Sequence, residues 1–136
     1  MIKHTSEIRV RYADTDQMKF TYYGKYFEYF EQGRSDLLRA IGLPYSHVEE
    51  LGYILPVIEA HATFRRPAFY DQLLKVVTIL KETPVAKVRL DYEVYREKEE
   101  EPIADGYTIH SFINVQTGKA SRAPAQFLEA IEKQMK

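Results

Sequence analysis

Tyr22-Tyr23-Gly24-Lys25-Tyr26-Phe27-Glu28-Tyr29-Phe30-Glu31-Gln32-Gly33-Arg34-Ser35-Asp36-Leu37-Leu38-Arg39-Ala40-Ile41 is the stretch on which the fold turns. Within it Tyr22, Tyr26, Tyr29, Phe30, Gly33, Leu37 and Ile41 recur at intervals of three and four, so one face of a helix is apolar. Thr21 stands where an N-cap belongs, and Gly42 followed by Pro44 supplies the stop. Gly33 falls in the middle of the apolar face. Glycine weakens a helix interior, so it is there either to admit a sheet at close range or as a tolerated weak point.

Outward from the helix the periodicity changes. Upstream, Ile8, Val10 and Tyr12 alternate with Arg9, Arg11 and Ala13, the pattern of a half-buried strand. Downstream, a short helical piece at 44–51 precedes strands at 54–66, 73–80, 85–95 and 103–115. The cleanest alternation sets Ala86, Val88, Leu90, Tyr92 and Val94 against Lys87, Arg89, Asp91, Glu93 and Tyr95. A charged tip at 96–101 reads as a hairpin turn, and 124–135 as a last helix with Phe127, Leu128, Ile131 and Met135 on one side. This order predicts the α+β class: a mostly antiparallel sheet with the long helix on its inner face. Strands this long leave long edges, so pairing of two copies edge to edge is expected.

With 136 residues and 16.0 kDa the chain is expected to form one domain, 1–136, and 45% apolar residues suffice for a core. A formal charge of −1 and a pI near 6.4 argue against nucleic acid as a partner. The absence of cysteine excludes a disulfide framework, a thiol nucleophile and a cysteine-ligated zinc site. The first seven residues lack the apolar run of a signal peptide, and no stretch approaches the eighteen or so apolar residues of a membrane span. A cytoplasmic location is the default expectation.

Chemistry concentrates just ahead of the helix, at Asp14-Thr15-Asp16. A helix start carries unsatisfied N–H groups and a partial positive charge, so it can hold a developing oxyanion. A carboxylate beside it can serve as nucleophile or general base. Asp16 lies nearer the helix and is the candidate catalytic group; Asp14 is expected to brace the turn. The aromatic stripe that includes Tyr22 and Tyr26 fits core packing, and could also line an acyl channel. His4, His47, His61 and His110 share no metal-pair spacing, although His61 and His110 fall in strands that could border a pocket. Nucleophile elbows, P-loops and dinucleotide fingerprints are missing. Arg65, Arg66, Lys81, Lys87, Arg89, Lys119 and Arg122 read mainly as solvated faces, a subset of which could hold phosphates.

Arg11-Tyr12-Ala13-Asp14-Thr15-Asp16-Gln17-Met18, with Tyr22-Tyr23-Gly24-Lys25-Tyr26 and Tyr29-Phe30-Glu31, resembles the signature of the 4-hydroxybenzoyl-CoA thioesterase-like family of hotdog-fold acyl-CoA thioesterases. Pro67-Ala68-x-Tyr70-Asp71 and Lys119-x-x-Arg122-x-Pro124 extend the match. The resemblance implies a long central helix wrapped by a curved antiparallel sheet, with active sites at the interface of a homodimer or homotetramer. It implies an acyl-CoA substrate, hydrolysed without metal or redox cofactor, with Asp16 as the catalytic carboxylate. The backbone N–H of Tyr23 would polarise the thioester carbonyl. Arg66 and Lys87 are the implied candidates for the coenzyme A phosphates. Two positions depart from the family pattern: Lys19 stands where members usually have glycine, and Lys25 where they commonly have asparagine.

A non-catalytic acyl-CoA-binding or scaffold protein on the same fold is the alternative reading. Dehydratase chemistry would need a histidine paired with an acid near the helix, and no histidine lies there in the sequence.

Overall fold

Helix α1 (Lys25–Ala40) lies against β1 (Ile2–Arg9), β4 (Leu73–Leu80) and β5 (Lys87–Arg96) in the computed structural model, which describes residues 1–135. Tyr26, Tyr29, Phe30, Gly33 and Leu37 are buried along it, the face read from the sequence. Phe30 lies flat on Tyr92 of β5 with ring centroids 4.3 Å apart. Full burial of such a side chain contributes about 1.5–3 kcal/mol. At Gly33 the helix comes so close to β4 that no Cβ fits, so the close-approach reading of that glycine holds.

The sheet runs β1-β4-β5-β6, all antiparallel, with β6 at Ala104–Asn114. Strand β6 also pairs with β2 (Tyr53–Ile54), β3 (Val57–Phe64) and β7 (Ala120–Ser121). Tyr92, Gly106 and Ala62 stand in register across β5, β6 and β3. The short α2 (Tyr45–Glu50) follows Pro44, and α3 (Ala125–Met135) buries Phe127 and Ile131, with Phe127 edge-on to Phe112 at 5.0 Å. The α+β expectation is met. Among the described residues no helix is long and apolar enough to cross a membrane.

Three local expectations are corrected. The first strand ends at Arg9, and Tyr12–Asp14 form a single 3₁₀ turn, because the Asp14 carboxylate accepts from the Arg11 N–H while the Asp14 N–H donates back to Arg11 O. Thr21 is not the N-cap: it bridges Thr15, donates its N–H to Ala68 O at 2.8 Å, and leaves Gly24 at the helix start. The strand expected at 54–66 is two strands, divided at Pro56, which has no N–H for a ladder.

Candidate active site

Asp14 is buried, and its Oδ2 accepts from the Arg11 N–H and the Tyr29 hydroxyl, each at 3.0 Å, while Arg11 Nη2 donates to Oδ1 at 3.1 Å. Burial pushes its carboxyl upward, but the hydrogen bonds from Arg11 and Tyr29 outweigh it and hold the carboxyl below its ordinary value. The first aspartate thus ties the 3₁₀ turn to α1.

The second aspartate opens a tight turn. Lys19 donates its N–H to Asp16 O at 2.9 Å, Asp16 donates its own to Phe20 O at 2.9 Å, and Thr15 and Thr21 pair beyond them. Turns of this three-residue form end in the left-handed region, where glycine is favoured. Here that residue is Lys19, with φ 68°. The Asp16 Oδ1 accepts from the Met18 N–H at 2.9 Å and the Phe20 N–H at 3.3 Å, and Oδ2 has no partner among the described residues. The carboxylate is aimed by its own turn and keeps one oxygen free.

Helix α1 begins across from it without a side-chain cap. Among the described residues, the N–H groups of Tyr23 and Gly24 meet no acceptor. They sit at the positive end of the helix dipole, the arrangement that stabilises a developing oxyanion. An open cleft of about 290 Å³ joins Asp16 and Tyr23 with Tyr26, Phe64 and Arg66. A second cleft, of about 850 Å³, shares Asp16 as a wall and is lined by Tyr12, Gln17, Lys19 and Tyr70.

Of the residues singled out in the sequence, Asp16, Tyr23, Tyr26 and Arg66 are therefore brought together. Tyr26 is buried beside Phe64, 5.0 Å between centroids, and burial pushes its hydroxyl up to about 12 against the opposing pull of Arg96. Tyr22 is half exposed, packed on the Tyr23 ring at 4.7 Å, and does not border the cleft. Arg66 donates to Glu99 Oε1 at 2.8 Å and to Glu101 O at 2.9 Å. Lys87 borders a separate cleft with Lys81 and Arg89. His110 lines a small cavity of about 40 Å³ with Arg34 and Phe127, whereas His61 is exposed and stacked on Tyr107. Phe20, part of the aromatic stripe that could line a channel, does wall the cleft, whereas sequence reasoning missed Met18, Phe64 and Pro67. The available signal was an apolar strand end running into Arg65-Arg66-Pro67, a stretch that cannot continue the ladder.

Residues 10–131 match the Thioesterase-like superfamily. The chain belongs to that superfamily. The crystal structure of DHNA-CoA thioesterase from Staphylococcus aureus superposes with TM-score 0.90 and 32% identity, over 98% of this chain and 91% of that one. A hypothetical protein from Thermus thermophilus gives TM-score 0.88 and 35% identity over 98% of both chains. A protein of Aquifex aeolicus, named provisionally as an esterase, is 31% identical over 124 residues, 91% of this chain and 94% of that protein. The fold is the hotdog fold of these thioesterase-like proteins, one long helix against an antiparallel sheet.

Proposed function

We propose that this chain is an acyl-CoA thioesterase of the 4-hydroxybenzoyl-CoA thioesterase-like branch, which converts an acyl-CoA and water to a carboxylic acid and free coenzyme A. One observation carries the reading: a single cleft holds the Asp16 carboxylate, with Oδ2 free, and the uncapped start of α1 at Tyr23. The superfamily match and the likeness to DHNA-CoA thioesterase support it.

In this reading the thioester carbonyl points its oxygen at the Tyr23 N–H. By the nucleophilic route, Asp16 Oδ2 adds to the carbonyl carbon, the tetrahedral oxyanion collapses, and the C–S bond breaks to release coenzyme A thiolate. Water then cleaves the resulting anhydride. By the general-base route, Oδ2 takes a proton from water as the water oxygen adds, and that proton passes to the departing thiolate. Tyr26 lines the substrate cleft, Tyr22 supports Tyr23 from behind, and Arg66 at the rim meets a coenzyme A phosphate. Lys87, in its separate cleft, reaches the same coenzyme only from another subunit.

A homodimer or homotetramer belongs to this proposal. Among the described residues strand β3 pairs with β6 alone, so its other edge is open there, and Val57, Ile58 and Phe64 on it are exposed.

The test is thiol release from a panel of alkyl and aryl acyl-CoA thioesters. Turnover on at least one member, abolished in Asp16→Asn, is expected. Binding of acyl-CoA with no turnover on any member would make the protein a binding module instead.

A further inference from the structure

Around Asp16 the cations are already paired: Arg11 with Asp14, Lys25 with Glu28, Arg65 with Asp105 and Arg66 with Glu99. Lys19 differs, having no carboxylate partner among the described residues while it borders the second cleft. It also holds φ 68°, a conformation in which any side chain is strained. Strain retained beside a reactive carboxylate points to a use for the side chain. Facing the same cleft, the Tyr12 and Tyr70 rings meet edge to face at 5.9 Å, and they are 79% and 59% exposed. Neither hydroxyl has a partner among the described residues.

We propose that this second cleft receives the acyl arm of the thioester, and that Lys19 selects acyl groups ending in a carboxylate, the half-thioesters of dicarboxylic acids. The inference rests on the thioesterase reading above. Reach assigns the anion to the acyl side. The turn keeps the Cα atoms of Asp16 and Lys19 within about 7 Å. The nearest phosphate of coenzyme A lies about thirteen covalent bonds from the sulfur, roughly 16 Å when extended. That arm leaves through the first cleft, where Arg65 and Arg66 stand at the rim. An anion at Lys19 therefore sits a few bonds from the reacting carbonyl. The Tyr12 and Tyr70 hydroxyls and the Gln17 amide supply further donors to it.

The experiment compares kcat/KM for glutaryl-CoA and for pentanoyl-CoA, its uncharged counterpart, in the wild type, Lys19→Met and Lys19→Arg. Lys19→Met keeps the left-handed strain and removes the charge, so backbone and charge effects separate. We expect the wild type to favour glutaryl-CoA by about tenfold or more, the scale of one charge-assisted hydrogen bond. Lys19→Met should erase that preference and Lys19→Arg should retain it. Preference for pentanoyl-CoA, or an unchanged ratio in Lys19→Met, would overturn the assignment while leaving the thioesterase reading intact. No turnover by the wild type on any thioester of the wider panel is the separate failure of that reading.

Discussion

Gly33 of α1 and Thr78 of β4 meet with no room for another atom between them. A Cβ built on Gly33 would lie 2.3 Å from Thr78 Oγ1 and 3.1 Å from Val76 Cγ1. On an exposed helix face, glycine to alanine gains about 0.5–1 kcal/mol. Here overpacking of about 1–3 kcal/mol opposes that gain. Gly33→Ala should therefore lower stability in urea denaturation, and Thr78→Ala in the same chain should recover part of the loss. A Gly33→Ala protein as stable as the wild type would show that the helix shifts freely.

Asp16→Asn should reduce kcat by about 10²–10⁴-fold, the range for removing a positioned base, with larger losses if the carboxylate is the nucleophile. The amide oxygen still accepts from the Met18 and Phe20 N–H groups, so the turn and the melting temperature should persist. Asp14→Asn should behave in the opposite way, losing about 1.5–3 kcal/mol with the charged hydrogen bonds to Arg11 and Tyr29. Near-normal kcat in folded Asp16→Asn would remove Asp16 from the chemistry.

Stability should fall as the pH drops below about 6.5 because of His110. Its Nδ1 lies 3.0 Å from Leu55 O, a pure acceptor, so Nδ1 carries the proton and Nε2 accepts from the Thr108 hydroxyl at 2.9 Å. Burial holds the imidazole below its ordinary value, and Arg34 adds to this, while the Leu55 bond opposes it. The folded state therefore disfavours the charged ring. The stability from keeping it neutral is full above the unfolded value of about 6.5 and is lost as pH falls through the lower folded value. Melting curves should slope across this window in the wild type and flatten in His110→Asn. Equal slopes would assign the effect to other groups.

Light scattering at micromolar concentration should return a dimer or a tetramer, because β3 offers an open edge and exposed apolar residues. A stable monomer with full thioesterase activity would contradict both the open-edge argument and a site shared between subunits.

What was legible in the sequence is what depends on local periodicity. The burial of Tyr26, Phe30 and Leu37 follows from helical spacing, that of Val88, Leu90, Tyr92 and Val94 from alternation, and Leu73–Leu80 matches its expected strand end to end. Side chains that capture backbone groups spoiled the rest. Asp14 turned an apparent strand into a 3₁₀ turn, and the pairing of Thr21 with Thr15 postponed the helix to Lys25. That postponement is what leaves the Tyr23 and Gly24 N–H groups free. Asp16, Tyr23 and Tyr26 lie close in sequence, so their meeting could be foreseen. The Phe64 wall arrives through the bonds of the Arg65 and Arg66 N–H groups to Ile103 O, a tertiary link with no local trace.

Strand β6 is the shared partner of β2, β3, β5 and β7, yet Ala104–Asn114 comes after β2, β3 and β5 in chain order. During synthesis β1, β4 and β5 can join as soon as β5 has left the ribosome, whereas β3 waits with both edges bare. A nascent chain halted before Ala104 therefore exposes Val57–Phe64 as an unpaired strand, the kind of surface that aggregates or recruits chaperones. The outer edge of β3 becomes a defined docking strand only after β6 arrives. The proposed assembly between copies would thereby be timed to follow completion of the sheet.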